Sequence, residues 1–213
     1  MENISLCGKW TIKSVGIYDE DVCIAGNVPG SVLNDIVNSS DKYKDVLYRD
    51  NAEKVQKFEN YNWLYTKEFT VEKLGANPHL FFGRLDTYCD IYLNGVHVAN
   101  TDNGNISYTF DVSGKLTEGI NKLEIYFYSP IKMVEGRKPH VGAFTTERIH
   151  TRRMQCTYGW DWAMRFVTSG IYGDAYVFFK DQDVIIEDLY VYTKNIDSDS
   201  AQIGIDVTFE KNS

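Results

Sequence analysis

The fold is decided by the stretch Cys89-Asp90-Ile91-Tyr92-Leu93-Asn94-Gly95-Val96-His97-Val98-Ala99. Apolar and polar residues alternate on both sides of its centre, which is the pattern of strands with one buried face. Between them, Asn94-Gly95 favours a type I′ turn, because both central residues of that turn need a positive φ. The stretch therefore predicts a tight β-hairpin.

The same alternation recurs on both sides of this hairpin. It is found at residues 6–15, 62–71, 79–88, 108–112, 121–128 and 175–180. A helix is predicted only at residues 32–37, where Pro29-Gly30 makes a turn and Ser31 supplies an N-cap. Many short strands with almost no helix predict an all-β fold, and we expect a jelly-roll β-sandwich with one short helix.

Two further strands are predicted near the end of the chain, at residues 184–193 and 201–209. A two-stranded piece is rarely stable alone. These strands therefore either pack onto the main domain or belong to a longer protein, and we expect a sandwich domain at residues 1–181 and the first strands of a second domain at residues 182–213.

The charge pattern argues against nucleic acid as a partner. The formal net charge of the 213 residues is -8, and an acidic chain repels a phosphate backbone. Three arginines, Arg148, Arg152 and Arg153, interrupt this balance. Their spacing is typical of an exposed strand face with snorkelling side chains rather than of an anion site.

The four cysteines are widely scattered, at positions 7, 23, 89 and 156, and form no Cys-x-x-Cys pair. This spacing predicts four free thiols and no metal site. The N-terminus lacks a basic region followed by an apolar run, and no stretch has the length of a membrane span. We expect a cytoplasmic chain with no cofactor and no membrane partner.

A long loop follows Ser129-Pro130, and the chain returns from it through Tyr158-Gly159-Trp160-Asp161-Trp162. Long loops on β domains are often functional. Here an indole that can stack on a sugar ring lies beside a carboxylate that can accept hydroxyl protons. The pattern alone also fits a Trp-rich core strand, in which the rings are buried and Asp161 points to solvent.

Several other motifs accompany this one in a fixed order. They are Gly8-Lys9-Trp10, Val28-Pro29-Gly30-Ser31-Val32, Tyr48-Arg49-Asp50-Asn51, Phe82-Gly83-Arg84-Leu85-Asp86-Thr87, Leu93-Asn94-Gly95, Gly159-Trp160-Asp161-Trp162 and Gly170-Ile171-Tyr172-Gly173. Together they resemble the N-terminal sugar-binding domain of glycoside hydrolase family 2, from about residue 5 to residue 180. The Gly-Trp-Asp-Trp motif, preceded by Arg152-Arg153-Met154-Gln155, looks most like that of β-mannosidases.

The resemblance implies a multidomain exo-glycosidase, in which this jelly roll precedes immunoglobulin-like sandwiches and a catalytic TIM barrel. Residues 182–213 would then begin the first immunoglobulin-like sandwich. In the family, two glutamates on the barrel act as acid/base and nucleophile in a retaining mechanism. No catalytic residue is therefore expected in this chain, and the chain alone is expected to be inactive.

The resemblance also implies which residues contact the sugar. In β-mannosidases the Trp-Asp of the motif reaches into the barrel's subsite for the terminal sugar. Carried over, Trp160 packs against that sugar or forms a wall of its pocket, and Asp161 accepts hydrogen bonds from hydroxyls remote from the reacting carbon. Arg153, Tyr158 and Arg165 are weaker candidates for the same site.

Trp162 is expected in the core, because it points to the opposite strand face from Asp161. Ala163-Met164 stands where β-mannosidases usually have Gly-Pro, so β-galactosidase or β-glucuronidase specificity stays open. Two further functions also stay open. One is a free-standing carbohydrate-binding module, and the other is a purely structural sandwich that braces a barrel without touching sugar.

Overall fold

The computed structural model describes residues 3–138, 145–181 and 184–211. Within these ranges the strands form three sheets. In chain order the strands are β1 (Ile4–Ser5), β2 (Gly8–Val15), β3 (Cys23–Val28), β4 (Gly30–Ser31), β5 (Asn62–Val71), β6 (Pro78–Asp86), β7 (Tyr88–Leu93), β8 (Val96–Thr101), β9 (Tyr108–Asp111), β10 (Gly119–Tyr128), β11 (Gly170–Phe179), β12 (Val184–Ile196) and β13 (Ala201–Lys211).

Helical structure is sparse. The α-helices are α1 (Val32–Ser39) and α2 (Asn51–Gln56), and single 3-10 turns occur at Lys57–Asn60, Lys132–Val134, Glu147–His150 and Gln155–Tyr158. In the part of the chain that the structure describes, no helix is long and apolar enough to cross a membrane.

Two of the sheets share one hydrophobic core. The larger has the strand order β3-β2-β5-β10-β7-β8, and the smaller has the order β1-β11-β6-β9 with β4 also paired to β11. Buried side chains of both sheets belong to a single apolar cluster. The expected all-β sandwich is therefore confirmed.

The centre of the core follows from the strand register. On β10, Ile125 lies opposite Tyr65 of β5 and Ile91 of β7, and all three side chains are fully buried. On the other sheet, Val177 of β11 lies opposite Leu80 of β6, and both are buried. Each fully buried Ile, Leu or Val contributes about 1.5–3 kcal/mol, so these rows hold the two sheets together.

The predicted hairpin is confirmed. Asn94 and Gly95 join β7 to β8 with φ angles of 53° and 78°. A positive φ at both positions is the type I′ geometry that matches the twist of the flanking strands.

The predicted helix is also confirmed, because Ser31 caps α1 by accepting a hydrogen bond from the Asn34 amide at 3.4 Å. The expectation of one short helix was wrong, however, since α2 forms a second one. The six residues of α2 bury Ala52 and Val55. A helix this short is marginal on its own and depends on such packing, which sequence periodicity does not show.

The end of the long loop is joined to the start of α1 by a close backbone approach. A Cβ atom on Gly170 would lie 2.2 Å from the carbonyl oxygen of Gly30, so only glycine fits there. The Val32 amide donates to the Ser169 carbonyl at 2.9 Å, and the Leu33 amide donates to the Thr168 hydroxyl at 3.2 Å. The return point of the loop is thereby fixed to the sandwich.

Strands β12 and β13 pair with each other in a separate two-stranded sheet. Several of their apolar side chains are exposed, including Ile186, Ile205 and Phe209. Lys180, at the end of the sandwich, forms an ion pair with Glu210 of β13. The predicted boundary at residue 182 lies outside the described residues, and a second domain at residues 182–213 stays a prediction.

Glu20 lies in the connection between β2 and β3. Its side chain joins that connection to residues 42–57, which contain helix α2. Its Oε2 accepts hydrogen bonds from Lys42 Nζ at 2.8 Å, Lys57 Nζ at 2.6 Å and Tyr43 OH at 2.8 Å. The bonds from Lys42 and Lys57 lower the pKa of Glu20 from its ordinary 4.5 to about 2. The carboxylate therefore contributes stability that is fully present above pH 4.5 and is lost as the pH falls towards 2.

We expect Glu20→Gln to lower the free energy of unfolding at pH 7 by about 0.5–1 kcal/mol, the usual range for a partly exposed ion pair. The deficit should shrink between pH 4.5 and pH 3, because the Glu20 carboxylate of the unfolded chain takes up a proton below its ordinary pKa of 4.5, whereas that of the native chain stays ionised until about pH 2. Urea denaturation at pH 7, 4.5 and 3 measures the difference in the free energy of unfolding between the variant and the wild-type chain. Glu72→Gln, at an exposed position after β5, is the control, and an unchanged Glu20→Gln deficit at pH 3 would contradict the assignment.

Candidate functional site

The Gly-Trp-Asp-Trp motif forms a reverse turn. The Trp160 amide donates to the Ala163 carbonyl at 2.9 Å, and the Ala163 amide donates back to the Trp160 carbonyl at 3.3 Å. Asp161 and Trp162 are the two central residues of this turn. Gly159 precedes it with a φ of 95°, which side chains rarely adopt. The glycine of the motif is therefore required by the backbone that enters the turn.

Trp162 was expected in the core, and this was wrong. The motif is not a strand, and the Trp162 side chain is 73% exposed. The alternation that puts neighbouring residues on opposite faces applies to strands only. In the turn, Asp161 and Trp162 both project from the surface.

Asp161 is exposed. Within the described residues, its carboxylate has no hydrogen bond or ion pair. All of its acceptor sites are consequently open to a ligand. Trp160 lies beside it with 37% of its surface exposed.

One face of the Trp160 indole is covered by Arg148. The guanidinium carbon lies 3.8 Å from the ring centroid, well inside the distance at which a cation is attracted to an aromatic face. Arg148 was expected on an exposed strand face. It instead belongs to the 3-10 turn Glu147–His150 and is partly buried. Sequence reasoning missed this contact because it joins residues of two irregular segments.

The base of the turn is held by Arg165. Its Nε and Nη2 atoms donate to the two carboxylate oxygens of Glu59 at 2.8 Å and 3.0 Å. Such a bidentate pair fixes geometry as well as charge. Nearby, the Phe166 amide donates to the Thr157 carbonyl at 2.9 Å, which joins the two arms of the loop. Arg165 thus connects the turn to the segment that precedes β5.

Tyr158 lies beneath the turn. It is buried, and its hydroxyl is 2.7 Å from the hydroxyl of Thr151. The guanidinium groups of Arg153 and Arg165 each lie 5.6 Å from its ring centroid. Burial raises the pKa of the Tyr158 hydroxyl, so it remains protonated at neutral pH.

Arg153 is buried rather than exposed, which corrects the expectation of a snorkelling side chain. Its Nη2 donates to Asp86 Oδ2 at 2.9 Å and to the Thr168 carbonyl at 2.8 Å. Burial raises the pKa of the Asp86 carboxyl, and the positive charge of Arg153 opposes this rise. A buried arginine needs a charged partner, and Asp86 is that partner although it is 67 positions away in the chain.

Arg152, the next residue, behaves differently. It forms an ion pair with Asp102 in which both side chains are more than half exposed. The main chain around it bonds to the loop after β8, because the Gly104 amide donates to the Arg152 carbonyl at 2.7 Å. Two adjacent arginines therefore have one buried and one solvated ion pair.

A small cleft lies between this part of the loop and the smaller sheet. Its volume is about 150 Å³, and it is lined by Arg84, Asp86, Gly104, Asn105, Met154, Thr157 and Tyr172. The candidate residues Trp160 and Asp161 are not among these. The exposed turn and the cleft are thus separate features of the loop.

The chain belongs to a family of glycoside hydrolase domains. Residues 10–173 match the family described as glycosyl hydrolase 2 galactose-binding domain-like, and the resemblance read from the motifs is confirmed. Curated relatives include β-mannosidase of Bos taurus, 30% identical over 188 residues, which cover 81% of this chain and 21% of the relative. β-Mannosidase B of Emericella nidulans is 27% identical over 173 residues, covering 76% of this chain and 20% of the relative.

Solved structures show the same fold. The β-D-mannosidase from Dictyoglomus thermophilum superimposes with a TM-score of 0.85 at 31% identity, over 99% of this chain and 26% of that one. The exo-chitosanase from Amycolatopsis orientalis gives a TM-score of 0.72 at 18% identity, over 100% of this chain and 25% of that one. This chain spans about a fifth to a quarter of the length of these relatives.

We expect Arg153→Met to lower the free energy of unfolding by about 3–5 kcal/mol, because it leaves the Asp86 carboxyl buried without its partner. The matched control is Arg152→Met, which removes an exposed pair and should cost less than about 1 kcal/mol. Urea denaturation at pH 7 measures both variants.

Adding Asp86→Asn to Arg153→Met should recover part of the loss, since the orphaned charge is then gone. Equal losses in the free energy of unfolding for Arg152→Met and Arg153→Met would show that the buried ion pair contributes no more to stability than the exposed one. A double variant no more stable than Arg153→Met would show that the loss comes from packing alone.

Proposed function

We propose that this chain is the substrate-contacting domain of a β-mannosidase-like exo-glycosidase. In this proposal Trp160 and Asp161 contact the terminal sugar of an oligosaccharide that is held by a catalytic TIM barrel of the same protein. The observation that carries the proposal is the exposed reverse turn, which presents side by side an indole and a carboxylate without a partner among the described residues, in a chain of this family.

The chemistry of the two side chains suits a sugar. The Asp161 carboxylate only accepts hydrogen bonds, and sugar hydroxyls donate them. The indole offers an apolar face for the C–H groups of a pyranose ring. Charge-assisted hydrogen bonds to hydroxyls far from the reacting carbon orient the ring, and correct orientation lowers the barrier of the chemical step.

The weaker candidates have supporting roles in this proposal. Tyr158 and Arg153 are buried beneath the turn, and Arg165 is engaged with both oxygens of Glu59. Their contacts fix the position and orientation of the turn relative to the sandwich. We propose that Trp160 and Asp161 alone meet the sugar and that the three supporting residues act through them.

The proposal gives this chain no catalytic residue. A retaining glycosidase needs two carboxyl groups about 5–5.5 Å apart across the scissile bond. In the proposal both carboxyls belong to the barrel, and the turn completes the barrel's pocket from outside. Side chains at the centre of a reverse turn project outward, so they contact a ligand from one side and require a second surface opposite.

We expect Asp161→Ala, in the full-length protein, to lower kcat/KM for an aryl β-mannoside about 10- to 100-fold. This corresponds to the loss of one charge-assisted hydrogen bond of about 1.5–3 kcal/mol. Steady-state hydrolysis with a chromogenic β-mannoside measures it. Asp19→Ala, at another exposed carboxylate, is the control and should leave the rate unchanged.

A wild-type rate of hydrolysis by Asp161→Ala would show that Asp161 does not contact the substrate. Comparing aryl β-mannoside, β-galactoside and β-glucuronide as substrates of the wild-type protein tests the sugar preference. A free-standing binding module predicts instead that the 213-residue chain binds manno-oligosaccharide by itself. Amide shifts of the turn on titration with mannotriose would support that alternative.

A further inference from the structure

We propose that a pocket between the two arms of the long loop binds one pyranose unit of a neutral oligosaccharide. Its volume is about 390 Å³, within the range of about 300–1,000 Å³ that is usual for small-molecule sites in proteins. Glu147 lines this pocket, and we call it the Glu147 pocket. Trp160 and Asp161 are not among its lining residues, so the inference concerns a second site and goes beyond the proposed function.

The floor of the Glu147 pocket combines three segments of the chain. Ile131 and Val134 come from the first arm of the loop, Thr146 and Glu147 come from the second arm, and Asn60 precedes β5. Val134 is buried, and the other four residues are partly buried. The pocket is therefore a depression in the folded chain and not a gap between exposed side chains.

Hydrogen bonds hold both arms of the loop around the pocket. The Ser129 hydroxyl donates to the Glu59 carbonyl at 2.6 Å and accepts from the Lys132 amide at 3.2 Å. Between the arms, the Lys138 carbonyl accepts a hydrogen bond from His150 Nε2 at 3.1 Å. The walls of the pocket are thus formed before a ligand arrives, which reduces the ordering cost of binding.

A carboxylate oxygen on the floor lacks a partner. The Oε2 atom of Glu147 is shielded from solvent and has no hydrogen bond among the described residues. A shielded carboxylate oxygen without a donor costs free energy, and a ligand hydroxyl that donates to it removes this cost. Glu147 therefore marks the place where a hydroxyl group of the ligand would bind.

The charges of the pocket favour a neutral ligand. Lys132, Glu135 and Arg137 lie on its exposed rim. With Glu147 they give two cations and two carboxylates, so the charged lining has no net charge. Such a lining does not select an ion of either sign, whereas sugar hydroxyls donate to the carboxylates and accept from the cations.

The class of neutral ligand follows from the apolar part of the floor and from the family. Ile131 and Val134 offer apolar surface to the C–H groups of a ring, and the polar side chains beside them meet its hydroxyls. The matched family is described as galactose-binding domain-like. A pyranose unit fits both observations better than an acyclic polyol, because the ring presents its C–H groups on one rigid face.

The test is a titration of the 213-residue chain with mannotriose, followed by the backbone amide signals in ¹⁵N–¹H NMR spectra. The signals of Val134, Gly136 and Glu147, which line the pocket, should shift and reach saturation together. Unmoved signals at these three positions would overturn the proposal. Shifts confined to the turn at Trp160 and Asp161 would overturn it as well.

Glu147→Gln keeps the size of the side chain and removes its charge. This variant should weaken mannotriose binding about 10- to 100-fold, the weight of one charge-assisted hydrogen bond. The matched control is Glu53→Gln, at an exposed carboxylate of α2, and it should leave the binding curve unchanged. Wild-type affinity in Glu147→Gln would contradict the proposal.

Arg137→Ala is the second variant, because Arg137 lies on the exposed rim and its truncation leaves the floor intact. It should weaken binding about two- to tenfold, the weight of one hydrogen bond. If Glu147→Gln does not fold, wild-type affinity in Arg137→Ala overturns the proposal.

Glycine, a small zwitterion, is the control ligand and should leave the pocket signals unmoved. Shifts of these signals with glycine as large as those with mannotriose would overturn the assignment to a sugar. Hydrolysis of the aryl β-mannoside by Asp161→Ala decides the proposed function separately, whatever the titration of the pocket gives.

Discussion

The ion pair between Arg153 and Asp86 is the constraint on which the site depends. It joins the middle of a long irregular loop to the end of a core strand, and both side chains are almost fully shielded from water. Two charges at such a position stabilise the structure only while they are paired. The loop therefore has one arrangement on the sandwich in which Arg153 reaches Asp86, and the turn that bears Trp160 and Asp161 is built on that arrangement.

The other contacts of the loop extend from this point. Arg165 and Glu59 attach the far arm of the loop to the segment before β5, and Gln155 uses the backbone around Arg153 to orient Arg148. Arg153, Arg165 and Gln155 thus each have a hydrogen-bond partner within the loop or the sandwich, although Nε and Nη1 of Arg153 and Nη1 of Arg165 have none among the described residues. Asp161, which has no partner among the described residues, remains for an external partner beside the exposed part of Trp160. Exposed side chains on a well-anchored support are the arrangement expected of a binding surface.

The strands and their connections could be predicted from the sequence because they follow local rules. Alternating apolar residues predicted β5, β7 and β10, Asn94-Gly95 predicted the hairpin, and Ser31 predicted the start of α1. Helix α2 was missed because six residues show no periodicity, and its stability comes from burying Ala52 and Val55. Trp162 was misplaced because strand alternation was applied to a turn.

The sequence by itself determined the all-β class, the order of the main strands and the motif that is a candidate for sugar contact. Each of these follows from residues that are neighbours in the chain or that recur with a fixed period. Only the tertiary structure decided that Arg153 is buried while Arg152 is solvated, and that Arg148 covers one face of Trp160. The physical reason is that these states depend on partners that the fold brings together across irregular loops, where no periodic pattern relates sequence to position.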